Sequence, residues 1–488
     1  ITANNNFITH PSSSTHPVTA FFTGNAPANT ILANDNSVLM NGNANGFGAN
    51  SVAGTGTISA ECNWWGVTGS GVPPLMSGSV DYELFLTSGV DDAPGTPGFQ
   101  PQANSCNGCS IQEAIDDPQT MGGHTLEVSS GTYNEQVLVN KSLTIKGVGM
   151  SQPIVNFTGT VTGKPTLFDV SVDGVTVDNI HFNVDLSKLR SAIIASATGL
   201  DNIVVKNNTV DAYGTPSGSY GDRNAISINY GGPTNYRVAT GGVNSFLSQN
   251  NTVNGMLPTS FFRSGIAFDE GGGTVTGNTL QTINHDVLVR FSSNGAVTIS
   301  NNTCNGGGIE LADQNAGAGT LSVTNNTFTG AGAPNTAMLR VKNNYNGISH
   351  QISNNTFNSF NWAVSLENMN NVVLDDNTFN PAAGTTYGVV VNTKSISSNS
   401  NTIVQVPIGV TMTNNNFNGA GTGVYFANHD SDNDSYGTIT IGTLGNENNF
   451  AASLSSFITM DKQNGSSDFS TFPIYGVGGG WTTTMDCW

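Results

Sequence analysis

The chain has 488 residues, of which 37% are hydrophobic and 10% charged, and its formal net charge is -19 with only 14 Lys plus Arg. That balance excludes a nucleic-acid binder, which needs a basic footprint, and argues against a partner surface that is itself anionic. No apolar run reaches membrane-spanning length, so direct membrane insertion is not expected; 59 glycines among many Asn, Thr and Ser favour strands and turns over helices.

Residues 1–66 carry three short stretches of one kind, "ITANNNF" (1–7), "ILANDNSV" (31–38) and "ISAECNWWG" (58–66). They read as coil ends of a repetitive β module, of which only the C-terminal coils are present. Residues 67–105 are rich in Gly, Pro and Ser and read as a cap and linker. The chain opens on Ile1 with neither Met nor a signal peptide, so a processed form or a segment of something longer is expected.

Of the five cysteines, Cys106 and Cys109 form a CxxC. A redox role needs a βαβ setting, which the neighbouring sequence lacks; a local disulfide in an oxidising compartment is the preferred reading. Just after it, "SIQEAIDD" (110–117) is the one short helix predicted, and its apolar face would cap the open end of a second module running to residue 488.

That second module repeats. An Asn recurs before Thr or Asn-Phe at Asn208, Asn251, Asn278, Asn302, Asn326, Asn355, Asn377 and Asn415, in steps of 43, 27, 24, 24, 29, 22 and 38 residues. A base period of 22 to 24 with insertions marks a solenoid. Each period holds short alternating runs such as "GIAFD" (265–269) and "GVVVN" (388–392), which are half-buried strands. The predicted fold is all-β, a right-handed parallel β-helix preceded by part of another. The recurring Asn is expected to take the left-handed conformation of a sharp turn and to hydrogen-bond up the stack as a ladder. Ile299, Val323, Phe328, Phe357 and Phe379 should point inward, with Cys304 in the same register as a small core residue.

Aligning the runs from 265 to 367 predicts two outward columns, Asp269–Arg290–Ala312–Lys342–Glu367 and Ala267–Leu288–Glu310–Arg340–Ser365. Opposite charges fall on successive coils. A sugar cleft is one reading. Cross-strand ion pairing on a solvated sheet, worth about 0.2–1 kcal/mol per pair, is the preferred one. Residues 212–237 gather Tyr213, Tyr220, Tyr230 and Tyr236 with Asp222, Arg223 and Arg237, a set suited either to stacking on carbohydrate or to packing a long loop. Asp430, Asp432 and Asp434 alternate like the start of a calcium loop, without the Gly and distant Glu of an EF-hand; a solvated acidic turn is the preferred reading, and no cofactor is required. His285 beside Asp286 has no serine placed with it and reads as structural.

Residues 110–149 resemble the opening of pectin-lyase-like parallel β-helix proteins. "CNWWG" (62–66) with "VDYELFL" (80–86) and "TPGFQP" (96–101) resembles the inter-module segments of large repetitive Bacteroidetes surface adhesins, including those of gliding motility. The resemblance implies an extracellular or cell-surface location, and the likeness of "TTTMDCW" (482–488) to "ISAECNWW" (58–65) leads to the expectation of coils joined end to end to neighbouring modules or copies. The β-helix pectinases that hydrolyse their substrate carry NTD, GHG and RIK motifs, which are absent here. The sequence therefore favours a non-enzymatic structural or adhesive module with no catalytic residues assigned, with a secreted polysaccharide-active enzyme or carbohydrate-binding protein as the alternative.

Overall fold

The computed structural model describes residues 1–9, 19–23, 30–40, 47–52, 56–67, 71–82, 85–86, 89–91, 95, 97–99, 105–106, 110–117, 120–195, 200–216, 223–229, 245–255, 261–269, 271–290, 295–314, 320–330, 337–344, 350–367, 369–384, 386–392, 409–427 and 439–460. Their strands pair into three long parallel sheets of 13, 12 and 12 strands, in which, apart from Ser105–Cys106 at one end, each strand neighbours the third strand before and after it in sequence. That order is a right-handed parallel β-helix, as predicted: each coil contributes one strand to each sheet and then climbs.

The chain falls into two compact units, residues 1–160 with 174–182, and residues 161–173 with 183–488. In the first, short parallel sheets join 7–9 to 37–39, 19–23 to 47–51 and 76–77, and 31–32 to 58–59 and 80–81. This pairing continues to Asp81, beyond residue 66, where the first coils were expected to end. Their core gathers Phe21, Ile31, Val38, Ala49, Ile58, Val72 and Phe85 around Trp65, whose ring meets Phe21 edge-on at 6.2 Å. The same unit holds the helix Ile111–Asp116, which buries Ile111, Ala114 and Ile115. Its N-terminus is satisfied twice: Ser110 accepts from the Glu113 amide, and the Glu135 carboxylate accepts from the amides of Ile111 and Gln112 at 2.8 and 3.0 Å.

In the second unit the inward columns are apolar from coil to coil. On the first sheet Val275, Ile299, Val323, Ile352, Leu374, Met412 and Ile441 lie in register. On the second sheet the column runs Leu280, Cys304, Phe328, Phe357, Phe379, Phe417 and Phe450. The five phenyl rings stack nearly parallel, with centroids 4.6 to 5.2 Å apart. Cys304 sits at the foot of this stack, 1% exposed and unbridged, its thiol pushed well above the ordinary range by burial and then by the Asp286 charge. A soluble thiol reagent is expected to modify Cys304 only in denaturant; peptide-resolved labelling of the native chain checks this, and rapid native labelling would place the thiol at the surface.

The turn between the first and second sheets divides two tasks that the sequence assigned to one residue. The left-handed positions are Asn207, Asn250, Gly277, Asn301, Asn325, Asn354, Asp376 and Asn414. They come one residue before the recurring Asn and relieve the turn sterically. The recurring Asn itself is buried and forms the ladder. The backbone N–H and side-chain amide of Asn302 both donate to Oδ1 of Asn326, at 3.0 and 2.9 Å. Asn326 does the same to Asn355, at 3.0 and 3.0 Å. The row is unbroken from Asn208 to Asn448, and the side-chain amide of Asn326 also donates to the Ile299 carbonyl at 2.9 Å. Asn6, Asn36 and Asn63 repeat the device in the first unit, behind left-handed Asn5, Asp35 and Cys62.

Candidate functional site

The third sheet differs from the other two. Strands on the first sheet alternate buried and half-buried, as in Val297–Ser300 and Leu321–Thr324. On the third sheet, Ser264–Asp269 is buried at every position, as is Trp362–Glu367 after its first residue. Its outward columns have the register read from the sequence: Asp269 opposite Arg290, Leu288 opposite Glu310, Glu310 opposite Arg340, and Lys342 opposite Glu367.

The carboxylates and Arg340 are buried, Arg290 and Lys342 half-buried, and the charges are paired with one another, which corrects the expectation of a solvated sheet. Asp269 and Glu367 are each 1% exposed. Arg290 grips both oxygens of Asp269, at 3.0 and 2.7 Å. Arg340 grips both oxygens of Glu367, at 2.7 and 2.7 Å, and reaches Glu310 at 3.4 Å. Lys342 pairs with the other oxygen of Glu310 at 2.9 Å, and His285 Nε2 lies 3.3 Å from that carboxylate. The pairs therefore run diagonally: Lys342 stands opposite Glu367 on the backbone, yet its ammonium meets Glu310.

Burial would push the Glu310 carboxyl up, but the His285 hydrogen bond and charge together with the Lys342 and Arg340 charges hold it well below the usual carboxylate range. Burial lowers His285, partly offset by Glu310. Burial would lower Arg340, but Glu367 and then Glu310 hold it above its ordinary value. Asp286, fully enclosed, is pushed up to about 7 by burial despite accepting from Thr282 and the Gly308 amide at 3.0 and 2.9 Å. It ties one coil to the next.

Of the aromatic and charged set in 212–237, Tyr213 ends the second-sheet strand Thr209–Tyr213, half-buried, its hydroxyl raised by burial and by Asp185. Arg223 leads into the third-sheet strand Asn224–Ile228, 6% exposed, its guanidinium 5.2 Å from the Phe261 ring centre. Tyr220, Asp222, Tyr230, Tyr236 and Arg237 lie outside the described residues, as do Asp430, Asp432, Asp434 and Cys109. Cys106 lies on the strand Ser105–Cys106, paired with Glu127 and Val128. Among the described residues no group of three His, Cys, Asp or Glu is arranged to hold a metal ion, and no helix is long and apolar enough to cross a membrane.

Sequence reading missed two features. One is His350, buried in the column between Leu321 and Val372 and lowered to about 4 by burial; its alignment with apolar residues at that register was the available signal. The other is a half-buried aromatic row, Trp362, Tyr387 and Tyr425, with centroids 6.0 and 4.7 Å apart on successive coils of the third sheet.

No family model matches the chain. A stretch of 100 residues is 32% identical to a cell surface glycoprotein of Methanothermus fervidus, spanning 20% of this chain and 15% of that relative. Among solved structures, the catalytic domain of a GH87 α-1,3-glucanase in complex with nigerose is 11% identical with a TM-score of 0.47, covering 75% of this chain and 69% of that one. A family 28 exopolygalacturonase of Yersinia enterocolitica is 11% identical with a TM-score of 0.36, covering 73% of each chain. The strand pairing described above, independent of these likenesses, defines the fold.

Proposed function

We propose that this chain is a non-enzymatic structural module of an extracellular surface protein, a stiff acidic solenoid whose third-sheet charges serve the fold. One observation carries the reading: both oxygens of Asp269, Glu310 and Glu367 are occupied by Arg290, Arg340, Lys342 and His285. Glycoside hydrolysis needs one carboxyl that holds a proton and a second free to act as base or nucleophile. Carboxylates locked by bidentate arginines offer neither. A coil stack lengthens by about 4.8 Å per turn with contacts only between neighbours, which suits a stalk. The resemblance to a cell surface glycoprotein over 100 residues supports the location.

The row Trp362–Tyr387–Tyr425 favours a second reading, carbohydrate binding or turnover on the same sheet, since aromatic faces beside polar groups suit sugar rings. Incubating the full chain with acidic and neutral glycans, and assaying reducing ends and unsaturated uronates, separates the two. The structural reading expects no turnover above a buffer blank. Turnover that disappears in Glu367→Gln would replace it with the enzymatic one.

A further inference from the structure

Within the first unit, a cluster of acids lies where the early coils meet the helix Ile111–Asp116. Asp117, the residue that ends the helix, accepts a hydrogen bond from the Cys62 thiol at 3.5 Å through Oδ2. Its carbonyl accepts from the Lys141 ammonium at 2.8 Å. Cys62 stands in the left-handed region at φ 53°, where an L residue other than Asn or Gly is disfavoured, so this position is held by its surroundings. The Asp35 amide donates to the Cys62 carbonyl at 3.1 Å. Asp35 is itself 2% exposed, and its Oδ1 is enclosed without a hydrogen-bond partner. Glu61 adjoins Cys62 in sequence and feels the charges of Asp81, Asp117 and Glu113. The groups facing one another here are thus Asp35, Glu61, Cys62 and Asp81 from the coils, Glu113 and Asp117 from the helix, and Lys141 from the coil that follows.

We propose that this cluster is a pH-sensitive clasp that holds the turns at Asp35 and at Glu61–Cys62 against the C-terminal end of the helix Ile111–Asp116 and loosens as the solution becomes alkaline. The ligand is a proton. An enclosed oxygen of Asp35 with no donor is tolerated when the carboxyl is protonated and costly when it is ionised. Burial first, and then the Asp117 charge, push the Asp35 carboxyl up to about 6. Burial first, and then Asp81, Asp117 and Glu113, push Glu61 up to about 7. In the unfolded chain both release their protons near pH 4. Between those values the folded form holds more protons, so stability falls with rising pH. The clasp is at full strength below about pH 4 and is lost as the pH passes through about 6 to 7.

Hydrogen exchange on the full chain, with the intrinsic pH dependence removed, reads the clasp directly. Taking Asp35 alone, with its carboxyl near 6 in the folded chain and near 4 in the unfolded one, amides of 58–65 and 111–117 should lose roughly tenfold in protection between pH 5 and pH 8. Amides of 321–380 serve as the internal reference. The isosteric pair Asp35→Asn with Glu61→Gln should abolish the difference. Equal protection at the two pH values in the unaltered chain would overturn the proposal, whether or not the variant folds. So would an undiminished pH dependence in a folded variant. The clasp stands apart from the proposed surface role, because a chain with any other task would show the same response.

Discussion

Replacing Asn326 with Ala is expected to cost about 3 kcal/mol of local stability, from a buried N–H and a buried carbonyl each left unpaired at about 1–3 kcal/mol. The amide of Asn302 donates to Asn326 Oδ1, and the carbonyl of Ile299 accepts from its Nδ2; both lose their partner. The neighbour behaves differently. Asn325 is exposed and left-handed at φ 57°. Asn325→Ala should cost about 1–2 kcal/mol from left-handed strain alone, and Asn325→Gly almost nothing. Asn326→Gly, in contrast, should be as damaging as Asn326→Ala. Denaturant midpoints of the four variants give the order, and a mild Asn326→Gly would return the turn strain to Asn326 and undo the division of tasks.

This division was available in the sequence and was overlooked. Across the repeats the first position of the pair varies among Asn, Asp, Gly and Cys, as in Asp35–Asn36, Cys62–Asn63, Gly277–Asn278 and Asp376–Asn377. The second position is Asn throughout. A turn needs only tolerance of positive φ, which several residues offer. A ladder rung must accept through an oxygen and donate through a nitrogen on one short side chain, and Asn does both. The register of the third sheet was legible for a simpler reason: the runs from Gly265 to Glu367 are short, strictly alternating and closely spaced. What alternation could not reveal was burial of the outer face, because a period of two only separates the two faces and does not say whether the second one meets water. Nor could it reveal the diagonal pairing, which depends on how far the long side chains of Arg340 and Lys342 reach.

The second large effect concerns that buried pairing. Arg340→Met should destabilise by about 3–5 kcal/mol, because Glu367, 1% exposed, would remain charged in the interior without the guanidinium that grips both its oxygens. Glu367→Leu should cost a similar amount, since the guanidinium of Arg340 would lose its bidentate partner and keep only the 3.4 Å contact with Glu310. Removing both charges together should be nearly neutral. Desolvation of the two ions roughly cancels their attraction, and apolar side chains of similar volume fill the place. Glu310 would still have Lys342 at 2.9 Å and His285 at 3.3 Å, so the double replacement leaves no new buried charge alone.

The measurement that bears most directly on a structural role for the third sheet is this double-mutant cycle, followed by denaturant unfolding with glycan binding recorded on the same samples. The expected result is two strongly destabilised single variants, a double variant restored to within about 1 kcal/mol of the original chain, and no change in glycan binding among the folded forms. Single variants that keep full stability but lose glycan binding or turnover would contradict it, and would make Arg340 and Glu367 part of a site on the third sheet.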